Sequence, residues 1–213
     1  MRRARIKKIL ITAGPTREML DPVRFISNLS TGEMGYAIAR AARRRYQKVT
    51  LISGPTALQP PPKVKFIPVT SAREMQLACQ EQISKHNVLI MTAAVADFTA
   101  TKQRPQKIRR TSTRRLLLKQ TPDILAGLAK EKGNKVFIGF CLETQDWLKN
   151  AREKLVRKQL DGIVANYYTK DHVPFGDRRI TTAFLDSRGK IKRLVRYSKP
   201  RIATKLLKWI ARF

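Results

Sequence analysis

Six short apolar runs alternate along the chain with segments of helical periodicity. The runs are rich in Val, Ile and Leu, and they cover residues 8–12, 48–53, 64–69, 87–91, 135–140 and 162–166. Strands that alternate with helices predict an α/β fold with a doubly wound, mostly parallel, Rossmann-like sheet. In such a sheet, ligands bind beyond the carboxyl ends of the strands, at the switch point between the first and fourth strands.

The last part of the chain departs from this alternation. Residues 180–185 and 191–197, joined by a turn at 186–189, predict a C-terminal β-hairpin, and residues 200–213 predict an amphipathic closing helix. A chain of 213 residues is long enough for one α/β domain with a full core and too short for two. We therefore expect a single domain over residues 1–213.

Three segments carry helix-start signals. Ser30 followed by Glu33, and Ser71 followed by Glu74, each have the form of a capping box. These pairs predict helices that begin at Ser30 and at Ser71. A third helix is predicted to begin at Pro122, capped by the threonine that precedes it.

The chain is strongly basic, with 45 Lys and Arg residues against 15 Asp and Glu residues and a formal net charge of +30. Such a field attracts polyanions. The basic residues are spread along the chain and are not interleaved with aromatic residues, which argues against a nucleic-acid partner. We interpret most of this charge as a solvated surface and a smaller part as the mouth of a ligand site.

The sequence also bears on the compartment. No run of about 18 apolar residues is present, so we expect no membrane span. The basic N-terminal segment leads into an apolar run that is too short for a signal peptide. Cys79 and Cys141 lie far apart and outside any metal-ligand spacing, which predicts buried free thiols in a reducing cytoplasm.

The stretch 21–36 connects the first predicted strand to the first predicted helix. Gly32 and Gly35 fall within or beside the first turn of that helix, where a glycine lets a ligand or another backbone come close. Free amides and the positive end of the helix dipole favour an anion such as phosphate. Neither G-x-G-x-x-G nor a Walker lysine is present, so the alternative that these glycines serve packing alone stays open.

Unusual segments follow three of the predicted strands. Gly14 and Asn28 come after the first strand, residues 93–97 after the fourth, and residues 140–144 after the fifth. Because the carboxyl ends of parallel strands meet at one edge of the sheet, these segments converge on one crevice. This convergence favours a nucleotide or an anionic substrate in that crevice.

Five segments are similar to the signature segments of the phosphopantothenate–cysteine ligase family, also called phosphopantothenoylcysteine synthetase. They are DPVRFISNLSTGEMG at 21–35, AAVAD at 93–97, KIRR at 107–110, PDIL at 122–125 and GFCLET at 139–144. They follow one another in the family's order and spacing over nearly the whole chain. The resemblance implies an enzyme of coenzyme A biosynthesis.

The resemblance implies a two-step reaction. The carboxylate of 4′-phosphopantothenate attacks the α-phosphate of CTP and gives an acyl-cytidylate and pyrophosphate. The amine of L-cysteine then attacks the activated carbonyl, which releases CMP and gives 4′-phosphopantothenoylcysteine. ATP in place of CTP is the alternative nucleotide. Mg²⁺ or Mn²⁺ is the expected metal, with no ligands assigned to it.

The resemblance also implies which residues act. Asn28 and Lys107 are the expected catalytic residues, since Asn28 would hold the acyl carbonyl during amine attack and Lys107 would contact the nucleotide phosphates. The expected nucleotide-binding residues are Gly14, Ser30, Gly32, Gly35, Ala93, Ala94, Asp97, Lys107, Pro122, Asp123, Ile124, Leu125, Phe140, Lys154 and Lys158. Lys154 and Lys158 lie four residues apart, so they should share one helix face.

The expected partners follow from the same resemblance. In many bacteria this domain is fused behind a flavin-dependent decarboxylase, but only Met1 to Lys7 precede the first predicted strand here. We therefore expect a stand-alone, cytoplasmic ligase that binds no flavin and works beside a separate decarboxylase. We also expect a homodimer that pairs through the hairpin at 180–197. The basic segment 99–115 should be mobile without ligands and should close over the site when they bind.

Two other function classes fit part of the sequence. A nicotinamide-dependent oxidoreductase would share the fold, but the second predicted strand ends in Ser53 and Gly54, with no acid for the ribose hydroxyls. A nucleic-acid-binding module is supported by the net charge alone.

Overall fold

An eight-stranded sheet forms the centre of the protein. The computed structural model describes residues 8–110 and 115–213. In chain order, the strands are β1 (Lys8–Ala13), β2 (Arg17–Asp21), β3 (Arg24–Ser27), β4 (Lys48–Ser53), β5 (Lys65–Pro68), β6 (Val88–Met91), β7 (Phe98–Ala100), β8 (Leu118–Gln120), β9 (Val136–Glu143), β10 (Gly162–Tyr167), β11 (Ile180–Asp186) and β12 (Ile191–Tyr197). The helices are α1 (Glu33–Ala42), α2 (Ala72–Ile83), α3 (Ile124–Leu128), α4 (Trp147–Arg157) and α5 (Lys199–Ile210), and a 3₁₀ turn at Ala129–Glu131 follows α3.

The strand order confirms the predicted Rossmann-like topology. Across the sheet the order is β12-β11-β10-β9-β6-β1-β4-β5. The strands from β5 to β10 in this order run parallel, whereas β11 and β12 are antiparallel. The chain first builds β1, β4 and β5 toward one edge, and it then places β6, β9 and β10 on the other side of β1. The switch point therefore lies between β1 and β6.

Helices cover both faces of the sheet. Ile9 and Ile11 of β1 belong to the core formed with α1 and α5, whereas Leu10 belongs to the core formed with α2, α3 and α4. All three side chains are fully buried. A strand buried on both faces reads as a continuous apolar run, which explains why β1 and β6 are recognisable from sequence. None of the helices within the described ranges is long and apolar enough to cross a membrane.

The start of α2 agrees with the sequence. Ser71 is the N-cap, and its Oγ accepts a hydrogen bond from the Glu74 amide at 3.2 Å. The Glu74 carboxylate reaches back and accepts from the Thr70 amide at 2.9 Å. Two backbone donors beside the helix start are thus satisfied. The second belongs to the residue before the N-cap, whereas in a standard capping box it belongs to the N-cap itself.

The predicted cap of α1 at Ser30 is wrong by two residues. The helix begins at Glu33, its N-cap is Gly32, and no side chain caps it. Gly32 has a φ of 80°, a left-handed conformation that turns the chain just before the helix. Ser30 accepts a hydrogen bond from the Gly32 amide at 3.3 Å and so stabilises that turn instead of the helix.

The predicted start of α3 at Pro122 is wrong by two residues. The helix begins at Ile124, because Asp123 is the N-cap and accepts from the Ala126 amide at 3.1 Å. A carboxylate is the stronger acceptor at a helix N-terminus, where the dipole favours negative charge.

Two small antiparallel pairs, β2–β3 and β7–β8, stand apart from the main sheet, and β2 contacts β7. The sequence prediction did not include β2, β3 or β7. These strands are three to five residues long and carry charged or polar residues, so they show little hydrophobic alternation. Asp21 closes the β2–β3 turn, since its Oδ1 accepts from the Val23 and Arg24 amides at 2.9 Å each.

The predicted C-terminal hairpin is confirmed as β11 and β12. β11 pairs with β10 and so joins the hairpin to the main sheet. The chain itself covers one face of the hairpin, since Phe184 and Leu194 share a core with Leu206 of α5. β12 forms the outer edge and exposes Ile191 and Val195. The homodimer stays a prediction.

The two serines give a matched test of helix capping. Ser71→Ala removes the acceptor of the α2 cap and should lower the free energy of unfolding by about 1 kcal/mol. Ser30→Ala removes a long hydrogen bond outside α1 and should cost clearly less. Urea unfolding followed by circular dichroism measures both variants. An equal loss in the two would contradict the assignment of Gly32 as the α1 cap.

Candidate functional site

A cleft of about 920 Å³ opens at the carboxyl edge of the sheet, at the switch point between β1 and β6. Its walls come from the first turn of α1, the segments that follow β6 and β8, the end of β9, and the last turn of α4. Most of the predicted site residues line it, namely Asn28, Ser30, Gly32, Ala93, Ala94, Asp97, Pro122, Asp123, Ile124, Leu125, Phe140, Lys154 and Lys158. The structure therefore brings together segments that lie more than a hundred residues apart in the sequence.

Gly14, Gly35 and Lys107 do not line the cleft. Gly14 has a φ of 71°, and a Cβ there would lie 2.8 Å from the Gly54 carbonyl oxygen. A Cβ at Gly35 would lie 2.5 Å from the Ala13 Cβ. These two glycines allow the turn after β1 and helix α1 to pack closely, which agrees with the packing alternative at both positions.

Gly32 combines packing with exposure to the cleft. A Cβ there would lie 2.7 Å from the Thr56 Cγ2, and its φ of 80° also requires glycine. The residue and the first turn of α1 line the cleft, so the free amides of a ten-residue helix face the ligand space. Such a helix end stabilises an anion.

Asn28 is held by the opposite wall of the cleft. Its Nδ2 donates to the Ala94 carbonyl oxygen at 3.0 Å. The Ala94 amide in turn donates to the Gly14 carbonyl oxygen at 2.9 Å. The Asn28 Oδ1 accepts no hydrogen bond from a described residue, so it is available to accept one from a ligand.

Among residues 8–110 and 115–213, four cationic side chains line the cleft: Lys154, Arg157, Lys158 and Lys199. The Lys154 ammonium donates to the Phe140 carbonyl oxygen at 3.0 Å. Lys158 forms an ion pair with Asp123, so the α3 cap also fixes a lysine on α4. Lys154, Arg157 and Lys158 lie three and four residues apart and share one helix face, as we expected for the two lysines.

Arg157, Asn166 and Lys199 are among the residues of the cleft wall that the sequence prediction missed. The Oδ1 of Asn166 is buried. Within residues 8–110 and 115–213, it is the one buried side-chain oxygen or nitrogen that has no hydrogen-bond partner. A buried acceptor without a donor, at the carboxyl end of β10, is suited to a ligand donor. The strand-end rule could have found Asn166, since it applies to the sixth predicted strand as well.

The segment that carries Lys107 is fastened to β2 and the β2–β3 turn. The Arg104 amide donates to the Leu20 carbonyl oxygen at 2.9 Å, and the Ile108 amide donates to Asp21 Oδ2 at 3.1 Å. Lys107 lies between these anchors and is exposed. Residues 111–114 of the segment that we expected to be mobile lie outside the described residues, and its mobility stays a prediction.

Asp21 is fully buried. Burial raises the pKa of its carboxyl group, but the amides of Val23, Ile108 and Arg24 and the Arg24 guanidinium outweigh burial and hold that pKa below its usual value. A lowered pKa means that the carboxylate stabilises the fold at neutral pH. This stabilisation is lost as the pH falls through the lowered pKa.

The two cysteines are buried and free, as predicted. Burial raises the pKa of the Cys79 thiol to about 12 and that of the Cys141 thiol to about 11. Neither is therefore an activated nucleophile at neutral pH. Within residues 8–110 and 115–213, no group of three or more His, Cys, Asp or Glu side chains could hold a metal ion by itself.

The fold and the cleft define the class of the protein. It is a Rossmann-like α/β protein whose switch-point cleft joins an open helix N-terminus to a set of fixed cations. Residues 4–213 match the model of the family described as DNA/pantothenate metabolism flavoprotein C-terminal domain. The chain belongs to this family.

Curated relatives carry the same region within longer proteins. The chain is 48% identical over 163 residues to the coenzyme A biosynthesis bifunctional protein CoaBC of Escherichia coli strain K12, covering 74% of this chain and 40% of that protein. It is 44% identical over 208 residues to CoaBC of Bacillus subtilis strain 168, covering 96% of this chain and 51% of that protein. The chain thus spans about half the length of these relatives, or less.

A crystal structure of a related domain has the same fold. The C-terminal domain of a coenzyme A biosynthesis bifunctional protein CoaBC is 37% identical and superposes with a TM-score of 0.82, over 97% of this chain and 94% of that one. This match agrees with the mostly parallel, Rossmann-like architecture described above.

The anchor of the Lys107 segment can be tested directly. Asp21→Asn replaces a charged acceptor by a neutral one, and the Ile108 amide should then exchange with solvent roughly 10- to 100-fold faster. Hydrogen exchange at neutral pH, read by mass spectrometry on peptides that cover 101–110, measures this rate. Asp171→Asn, at an exposed carboxylate, is the control. An unchanged rate in Asp21→Asn would contradict the anchoring role.

Proposed function

We propose that the protein is a phosphopantothenate–cysteine ligase of coenzyme A biosynthesis. It joins 4′-phosphopantothenate and L-cysteine, converts CTP to CMP and pyrophosphate, and forms 4′-phosphopantothenoylcysteine. The observation that carries the proposal is the cleft, which gathers the residues of four of the five resembling segments at the switch point. The match to CoaBC proteins, whose names refer to coenzyme A biosynthesis, supports the pathway.

In the first step, a carboxylate oxygen of phosphopantothenate forms a bond to the α-phosphorus of the nucleotide. The bond between the α- and β-phosphates breaks, and pyrophosphate leaves. Negative charge spreads over the phosphate oxygens during this displacement and must be offset. Lys154, Arg157 and Lys158, with the open N-terminus of α1, supply positive charge on two sides of the cleft.

In the second step, the cysteine amine forms a bond to the activated carbonyl carbon. The bond from that carbon to the nucleotide oxygen breaks, CMP leaves, and the amine loses a proton. Asn28 suits this step because one side of its amide is tied to Ala94. Its orientation is therefore set before the substrates arrive, and positioning of this kind is a main source of rate in such transfers.

A divalent metal fits the donor set of the cleft. Mg²⁺ typically takes one or two protein carboxylates and completes its shell with phosphate oxygens and water. Asp97 lines the cleft and takes part in no ion pair among the described residues, so it would hold Mg²⁺ or Mn²⁺. When bound, the ion would neutralise phosphate charge.

The nucleotide base would lie near Phe140 and Asn166. Phe140 offers an aromatic ring on the cleft wall, and the free Asn166 Oδ1 would accept from an exocyclic amine. Cytosine and adenine both carry such an amine. CTP is the nucleotide we propose, and ATP is the alternative.

The relatives named above are bifunctional proteins, and we propose that the product of the ligase passes to a flavin-dependent decarboxylase. A cytoplasmic location fits this pathway step. These expectations rest on the family resemblance.

One assay tests the function. Pyrophosphate release is measured with 4′-phosphopantothenate and either CTP or ATP, with and without L-cysteine, and the amide product is followed by mass spectrometry. We expect product with CTP and all three substrates together. Pyrophosphate release without phosphopantothenate, or no product with either nucleotide, would contradict the proposal.

Asn28→Asp should separate the two steps. The new charge repels the carboxylate-bearing substrate and its developing oxyanion, and it removes the amide donor to Ala94. The acyl-cytidylate should persist longer than in the parent enzyme while amide formation falls. Rapid-quench analysis of both species measures the effect. Equal losses of pyrophosphate and amide would show that Asn28 is not specific to the second step.

Lys107→Gln tests the second catalytic assignment. Lys107 lies outside the cleft wall, so its proposed contact with the nucleotide phosphates requires the segment 101–110 to move when ligands bind. Loss of one such contact costs about 3–4 kcal/mol, or roughly 100- to 1,000-fold in turnover. Lys102→Gln, at an exposed lysine of the same segment, should change little. Near-normal pyrophosphate release from Lys107→Gln at saturating CTP would contradict the assignment.

The homodimer has two candidate surfaces. At the hairpin edge Val195 is 63% exposed, and in the segment before β8 Leu117 is 73% exposed. Light scattering should give the mass of a dimer for the parent, and Val195→Lys should shift it to a monomer if the hairpin forms the contact. A monomeric parent would contradict the dimer. A monomer from Leu117→Lys alone would contradict the hairpin.

A further inference from the structure

Lys199 is unusual for a lysine in two respects. Its side chain is only 6% exposed, whereas most lysines lie on the protein surface. It is also the first residue of α5, where the positive end of the helix dipole disfavours a cation. Departures from local rules concentrate at functional sites, and this one lies in the cleft wall.

The Lys199 ammonium joins three segments of the protein. It forms an ion pair with Glu33 Oε2 at 2.7 Å, and it donates to the Gly176 carbonyl oxygen. Glu33 lies in the first turn of α1, while Pro174 and Phe175, next to Gly176, line the cleft. An ammonium carries three protons, and the two acceptors among the described residues leave one for a ligand.

Glu33 lies where an anion is most stabilised. Its carboxylate follows the Gly32 cap at the N-terminus of α1, the place at which a phosphate would bind. A carboxylate alone there would repel a phosphate. Its pairing with Lys199 cancels this charge and keeps the ammonium in the cleft wall.

We propose that Lys199 is a phosphate-binding residue of the cleft, and that Glu33 is the positioning residue that holds it there. This inference rests on the proposed ligase function. The phosphate belongs either to the nucleotide or to phosphopantothenate, since both carry one. The proximity of Glu33 to Gly32 places this contact at the open end of α1.

If the ion pair between Glu33 and Lys199 were purely structural, its variants would behave differently from those of a phosphate-binding lysine. In that case Lys199→Met would leave the half-buried Glu33 carboxylate without its partner and would lower stability. The double variant Glu33→Gln/Lys199→Met removes both charges, so it should recover stability and, with it, the parent's affinity. A phosphate-binding role predicts that the double variant recovers stability but not affinity.

The test is isothermal titration calorimetry with two ligands, each given alone. CTP and 4′-phosphopantothenate are titrated into the parent, Lys199→Met, Lys199→Arg and Glu33→Gln/Lys199→Met, with thermal unfolding recorded for each. Lys208→Met, at an exposed lysine of the same helix, is the matched control. We expect the double variant to bind at least one of the ligands roughly 10- to 100-fold more weakly, and Lys199→Arg to keep part of the affinity.

The outcomes distinguish the inference about Lys199 from the proposed ligase function. Loss with CTP assigns Lys199 to the nucleotide phosphates, and loss with phosphopantothenate assigns it to the phosphate of that substrate. A double variant that folds and binds both ligands like the parent would overturn the inference while leaving the ligase function intact. A parent that binds neither ligand would overturn both.

Discussion

The backbone of Ala94 joins the two sides of the switch point, and the cleft depends on it. Its amide donates to the Gly14 carbonyl oxygen at 2.9 Å, while its own carbonyl accepts from the Thr16 amide at 3.2 Å and from Asn28 at 3.0 Å. Parallel strands β1 and β6 end side by side, but their following loops need such cross-links to form one wall. Asn28 is consequently oriented by the segment after β6, not by the strand that precedes it.

The cleft also holds most of its cations in place before any ligand arrives. Lys154 is tied to Phe140, Lys158 to Asp123 and Lys199 to Glu33. Long cationic side chains lose much conformational freedom when they bind an anion, and partners within the protein remove part of that cost in advance. The site therefore presents fixed positive charge, which suits the displacement at phosphorus that we propose.

The sequence predicts the parts of this structure that follow from local chemistry. β1 is an apolar run because both of its faces are buried, and the strand-end rule brings Asn28, Ala93 and Phe140 to one crevice. The pairing of Glu33 with Lys199 spans 166 residues, and no local pattern contains it. The capping box predicted at Ser30 does not form for a related reason. Glu33 is ion-paired with a distant lysine, and Gly32 turns the chain before the helix. The proposed role of Lys107 rests on the family resemblance alone.

The central claim is that the substrate carboxylate is activated by direct attack on the α-phosphate in this cleft. The most direct measurement uses 4′-phosphopantothenate with ¹⁸O in both carboxylate oxygens, turned over with CTP and L-cysteine. Mass spectrometry of the released CMP should show one ¹⁸O for each molecule, and the amide should keep the other. CMP without label would contradict the acyl-cytidylate, and label in pyrophosphate or inorganic phosphate would point to attack at a different phosphorus.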